Sequence, residues 1–144
     1  MLLGCGYRVG GLVEHSKVRL SLFDTASERR LHEFDLTQAV AREMAGAGIA
    51  VNSPDSTVEL TGRISDFREP PVVTTGKDET LIASVSIRLE VSLRRRSDGT
   101  ILWSDSRAES ASFATQRLES RETARQEVFD RLARWVVTKL ESDW

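Results

Sequence analysis

The chain has 144 residues and a mass of 16.1 kDa, the size of one ordinary domain. Hydrophobic residues make up 40% and charged residues 29%, a globular composition that excludes a disordered tail and a membrane-spanning bundle. The formal net charge of −2 excludes a chain that binds nucleic acid through its overall charge.

The one cysteine, Cys5, stands directly after Leu2, Leu3 and Gly4. This start resembles the lipobox of bacterial lipoproteins, in which a small residue precedes the cysteine whose thiol receives the lipid. We therefore expect residues 1–4 to be the remnant of a signal peptide, although an export signal contains about 7–15 apolar residues. The alternative is an unmodified thiol in a frayed N-terminus.

Residues 5–16 are expected to form a lipidated, glycine-punctuated tether, and residues 17–144 a single domain. The first predicted strand covers residues 17–23, where Val18 and Leu20 alternate with polar residues.

A helix is predicted over residues 36–47. Asp35 is its expected N-cap, and Gln38 stands three residues later as in a capping box. One apolar stripe recurs at Leu36, Val40 and Met44.

Three antiparallel strands are predicted next. The first begins at Val58 and alternates to Ile64 before Pro70 and Pro71 exclude further pairing. The second covers residues 84–94, in which every odd-numbered position from 85 to 93 is apolar. An Asp98-Gly99 turn joins it to a strand from Ile101 to about Phe113.

The chain closes with a predicted helix over residues 120–141, with Ser120 as N-cap and an apolar side chain every fourth residue from Ala124 to Leu140. The order β-α-β-β-β-α predicts an α+β two-layer sandwich. In it, two helices pack on one face of a four-stranded, mostly antiparallel sheet.

The sequence offers little chemistry for catalysis. His15 and His32 lie outside any pattern typical of a nucleophilic triad, and with one cysteine no zinc-ligand spacing occurs. Phosphate-binding glycine loops are also missing. We expect no enzyme activity, no cofactor and no metal site.

Taken together, these segments resemble the lipopolysaccharide-assembly lipoprotein (LptE) family of the Gram-negative outer membrane. The matching elements are the Leu-Leu-Gly-Cys-Gly-Tyr start, the early strand, the Leu36-Thr37-Gln38-Ala39-Val40 helix opening, the strands that contain residues 58–64 and 84–93, the hairpin from Asp98 to Trp103, and the last helix, which leads to Trp144. Their order and spacing carry the resemblance over nearly the whole chain.

The resemblance implies a protein lipidated on Cys5 and anchored in the outer membrane, facing the periplasm or the lumen of a barrel. It also implies a large β-barrel partner of the LptD type, a role in barrel assembly and in transfer of lipopolysaccharide to the outer leaflet, and the two-layer fold predicted above. No nucleic-acid partner is expected.

A cluster of arginines is the candidate ligand site. Arg94, Arg95 and Arg96 end the long strand, and Arg88 lies on the same exposed face as Arg94. Guanidinium groups suit the phosphates of lipopolysaccharide. The alternative is a solvated strand end with no ligand.

Two further surfaces are candidate partner contacts. Val72 and Val73 stand in an otherwise polar loop, and Trp144 is the last residue. Each is alternatively a side chain that folds back onto the domain.

Two other functional readings stay open. One is a stand-alone periplasmic lipoprotein that self-associates through its sheet edge or binds another envelope component. The other is a cytosolic ligand-binding or enzymatic domain, which requires Cys5 to be an unmodified thiol.

Overall fold

The computed structural model describes residues 17–21, 23–25, 31–69, 82–114 and 118–142. The elements in chain order are β1 (Lys17–Leu20), β2 (Asp24–Thr25), α1 (Leu31–Gly46), β3 (Ala50–Val51), β4 (Val58–Arg68), β5 (Ile82–Arg95), β6 (Ile101–Ala114) and α2 (Leu118–Glu141).

All strands in the described part of the chain belong to one mixed sheet. Five of them follow the order β3-β1-β4-β5-β6, and the short β2 pairs with β4 outside this path. The β4–β5 and β5–β6 pairs are antiparallel, whereas β1–β3, β1–β4 and β2–β4 are parallel. The two helices and the antiparallel meander agree with the prediction. The expectation of four mostly antiparallel strands is wrong.

The parallel pairs have a topological cause. The chain leaves β1, passes through α1 and returns along β4, and such a crossover brings two strands side by side in the same direction. The two-residue β3 is too short to give an alternating sequence pattern. Asn52 closes it with a φ of 59°, and its side-chain Oδ1 accepts the N–H of Leu20 at 2.9 Å.

Both helices begin earlier than predicted. Asp35 lies inside α1, which starts at Leu31, and Ser120 lies inside α2, which starts at Leu118. In α1 the extra turn is stabilised by tertiary packing, because the buried His32 ring stacks on Phe67 with centroids 4.5 Å apart.

The core lies between the two helices and one face of the sheet. In β5 the inward side chains Val85, Ile87, Leu89, Val91 and Leu93 are all at most 2% exposed. The buried stripe of α2 covers this part of the sheet. It consists of Ala124, Val128, Leu132, Val136 and Leu140. Neither α1 nor α2 packs on the polar residues of the opposite sheet face, which is called the open face below.

A glycine in β4 allows close packing at the start of the domain. Phe23 is fully buried, and its ring lies directly over Gly62. A Cβ atom on Gly62 would lie 2.8 Å from the Phe23 ring. The Phe23 N–H is held by Thr37 Oγ1 at 3.0 Å, so α1 limits movement of this segment.

We expect Gly62→Ala to lower the free energy of unfolding by about 1–3 kcal/mol, because the added methyl group overpacks the Phe23 ring. Urea unfolding followed by circular dichroism measures this change. The matched control is Gly46→Ala at the end of α1, where an added Cβ meets no atom within 4 Å. Equal stability of the two variants would contradict the packing argument.

Candidate functional site

The site lies at the end of the sheet where β5 turns into β6. The turn is closed by main-chain bonds from Arg95 N–H to the Thr100 carbonyl (2.8 Å) and from Gly99 N–H to the Arg95 carbonyl (2.9 Å). Gly99 adopts a φ of 74°, which favours glycine. The Asp98 carboxylate accepts the Thr100 N–H at 3.0 Å, and this hydrogen bond is the main cause of a lowered pKa of Asp98.

Two of the predicted arginines are held by this end of the sheet. Arg95 Nη1 lies 3.2 Å from Asp98, and both side chains are about half exposed. The Arg96 main-chain N–H donates to the Thr57 carbonyl at 2.9 Å, and its Nη1 donates to the Ser56 carbonyl at 3.0 Å. Arg96 is thus oriented by Ser56 and Thr57, in the segment that leads into β4.

Arg94 belongs to a row of charges across three strands on the open face. Glu59 of β4 is in register with Arg19 of β1 on one side and with Arg94 of β5 on the other. The Glu59 carboxylate accepts a hydrogen bond from Ser21 Oγ at 2.6 Å. Within the described ranges, no carboxylate lies at ion-pair distance from Arg19, Arg94 or Arg96.

A polar cleft of about 480 Å³ opens between β1 and the segment after β3. Arg19 and Arg96 line it together with Ser21, Asn52 and Ser53. The cleft therefore presents two guanidinium groups, hydroxyls and an amide, which are hydrogen-bond donors suited to an oxyanion.

Lys17 adds little free positive charge nearby, because it is paired with Asp55. The hydrogen bonds from Lys17 and from Ser53 lower the pKa of Asp55 from 3.8 to about 2. The carboxylate therefore stays ionised at any physiological pH and neutralises the lysine.

Arg88 is not part of this cluster. It lies on the open face as Arg94 does, but six residues earlier in β5, or roughly 20 Å away at the rise of a strand. Its register partners are Asp66 of β4 and Ala108 of β6. Asp66 stands opposite Arg88 in register, and its carboxylate forms an ion pair with Arg68 at 3.0 Å.

The sequence patterns did not predict that Arg19 belongs to the arginine cluster. It lies 75 residues from Arg94 in the sequence, and only the β1–β4 pairing brings it to the cluster. Cys5, Val72, Val73 and Trp144 lie outside the described residues, as do the tether and the loop that follows Pro70 and Pro71.

The part of the chain that the structure describes contains no group of three or more His, Cys, Asp or Glu side chains that could hold a metal ion. None of its helices is long and apolar enough to cross a membrane. The arginine cluster and its cleft present hydrogen-bond donors suited to an anion.

Comparison with solved structures shows where this fold occurs. Protein XCC0632 from Xanthomonas campestris has a TM-score of 0.65 and 14% identity, with 84% of this chain and 81% of that chain covered. The PelC dodecamer from Paraburkholderia phytofirmans has a TM-score of 0.56 and 15% identity, with 91% and 90% covered. Lipoprotein GNA1162 from Neisseria meningitidis has a TM-score of 0.56 and 11% identity, with 86% and 95% covered. At these identities the likeness concerns the fold.

A comparison with curated proteins gave no match. The family model for lipopolysaccharide assembly, LptE, matches residues 16–140. This range takes in both helices, the whole sheet and the arginine cluster. The chain therefore belongs to the lipopolysaccharide-assembly (LptE) family.

Proposed function

We propose that this protein is a non-enzymatic lipoprotein of the outer membrane that works with a large β-barrel of the LptD type. In this role it helps the barrel to assemble and aids transfer of lipopolysaccharide to the outer leaflet. The family match over residues 16–140 carries the proposal. An envelope role is supported by the structural neighbour GNA1162 from Neisseria meningitidis, which is a lipoprotein.

The arginine cluster is proposed as the contact for lipopolysaccharide phosphates. Arg94 and Arg96 offer guanidinium groups without a carboxylate partner among the described residues, and Arg19 extends the same surface. Planar guanidinium groups bind phosphate oxygens through paired hydrogen bonds, which a lysine cannot reproduce. Arg88 is proposed as a separate contact, because it lies six residues before Arg94 in β5, outside the cluster.

We expect the triple variant R94E/R95E/R96E to weaken binding of labelled lipopolysaccharide at least about tenfold, since each lost charge-assisted bond contributes about 1.5–3 kcal/mol. A pull-down titration with the full chain measures this. Arg94→Glu alone tests the cluster without disturbing the Arg95 and Arg96 hydrogen bonds, and we expect it to weaken binding as well.

The control for this experiment is R42E/R68E/R134E, which changes three exposed arginines outside the cluster by the same total charge. It separates a local phosphate contact from a general loss of positive charge. Unchanged binding by the triple variant of the cluster, or equal loss in the control, would remove this surface from the proposal.

Cys5 is the proposed lipidation site. Mass spectrometry of the chain from its native membrane is expected to find a triacyl adduct on this residue, since two or more acyl chains are needed for stable anchoring. The Cys5→Ala variant is expected to leave the membrane fraction. An unmodified Met1 in the native host would contradict the envelope assignment.

The proposed barrel partner is tested by affinity purification of the tagged chain from outer membranes. Recovery of a large β-barrel with it is expected, and recovery of the chain alone would favour the stand-alone lipoprotein. Val72, Val73 and Trp144 are the proposed contacts to the barrel, so replacing them with aspartate is expected to reduce recovery while lipopolysaccharide binding persists.

A further inference from the structure

One edge of the sheet is formed by β6, which is unusually long for an edge strand. β6 has 14 residues, about twice the common length of a strand, and its single strand neighbour among the described residues is β5. Small side chains line its open face, namely Ser104, Ser106, Ala108, Ser110 and Ser112. β6 contains neither lysine nor proline, but it carries three charged side chains, Asp105, Arg107 and Glu109, so it can pair only with a strand that balances these charges.

Two hydrogen bonds show which main-chain groups point away from β5. The Ser106 N–H donates to Asp105 Oδ1 at 2.8 Å, and the Ser110 carbonyl accepts a bond from Arg131 Nη1 at 2.9 Å. Main-chain groups of successive residues alternate between the two sides of a strand. The even-numbered residues of β6 therefore direct their N–H and C=O groups outward, where a further strand would bind them.

The charged side chains on the other face of β6 indicate which strand can pair with it. Asp105, Arg107 and Glu109 lie on the helix side at the edge. Residues that lie opposite each other in an antiparallel pair point to the same face of the sheet. When two copies of β6 pair about a two-fold axis, the axis must therefore pass through a residue and not between two residues. With the axis at residue 107, Arg107 lies opposite Arg107 of the other copy and Asp105 lies opposite Glu109, so like charges meet. An axis at residue 109 places Glu109 opposite itself. An axis at residue 106 places Asp105 opposite Arg107, but it sets Glu109 against Trp103 and pairs only residues 103–109 of the regular part of the strand.

An axis at Ala108 avoids this repulsion between like charges. Arg107 of each copy then lies opposite Glu109 of the other, and these two side chains already form a 2.7 Å ion pair within one chain. Serine lies opposite serine on the open face, and Trp103 lies opposite Phe113. The β5–β6 ladder is regular from Trp103 to Ala114, so this register uses nearly the whole regular part of the strand.

We propose that two copies of this chain pair antiparallel through β6, about a two-fold axis at Ala108, and form one continuous sheet. Opposite charges at Arg107 and Glu109 set the register, and the outward main-chain groups supply the bonds. The side chains of Asp105 and Arg131 leave those groups as the strands meet, and each keeps its ion pair with a residue of α2, Asp105 with Lys139 and Arg131 with Glu127. This pairing does not depend on the proposed barrel partner or on lipopolysaccharide binding.

Sedimentation equilibrium of the full chain under reducing conditions tests the pairing. We expect a monomer–dimer equilibrium with a dissociation constant of about 1–100 μM. Arg107→Glu is expected to weaken the dimer about tenfold, because it places like charges opposite each other at two symmetric positions. R107E/E109R restores opposite charges in the register centred on Ala108 and is expected to return the constant to within about threefold of the original.

The matched control is Arg42→Glu on α1, which changes the charge equally and is expected to leave the dimer unchanged. Ala108→Pro removes one outward N–H without removing a bond to β5, and we expect a folded monomer by circular dichroism. A chain that stays monomeric up to about 1 mM overturns the proposal. So does an oligomer larger than a dimer, a folded proline variant that still dimerises, or a double variant that remains weakened.

Discussion

The structure depends on the burial of one apolar face of the sheet. β5 lies between β4 and β6 and directs an unbroken row of aliphatic side chains to that face, where the buried stripe of α2 packs on them. Burying it supplies most of the driving force for folding, at roughly 25 cal/mol for each Å² removed from water. Because α1 and α2 both pack on this side, no described helix covers the opposite face.

The open face explains where charge accumulates. Cross-strand neighbours on it are often of opposite sign, with Arg63 beside Glu90 and Asp66 beside Arg88. At the hairpin end the charges are not balanced, because one carboxylate, Glu59, stands between Arg19 and Arg94. The partners of Arg96 among the described residues are carbonyl groups. A near-neutral protein thus carries a local positive surface suited to phosphate.

Sequence patterns predicted the elements that are stabilised within one segment. The alternation of β5 and the Asp98-Gly99 turn were sufficient to place the hairpin, because side-chain period and turn chemistry are local properties. Helix starts were less predictable. Asp35 has the chemistry of an N-cap, yet packing of His32 on Phe67 extends α1 by a further turn. The candidate site was found in part, since Arg94–Arg96 are adjacent in sequence and Arg19 is not.

The residues of each segment were sufficient to predict the two amphipathic helices, the antiparallel meander and the run of arginines at its turn. They also contain the ordered motifs that identify the family. Only the pairing of distant segments shows that β1 runs parallel to β4, that Arg19 joins the cluster while Arg88 stands apart, and that β6 is an edge of the described sheet. The physical reason is that strand pairing joins residues far apart in the chain, and local periodicity holds no information about which edges meet.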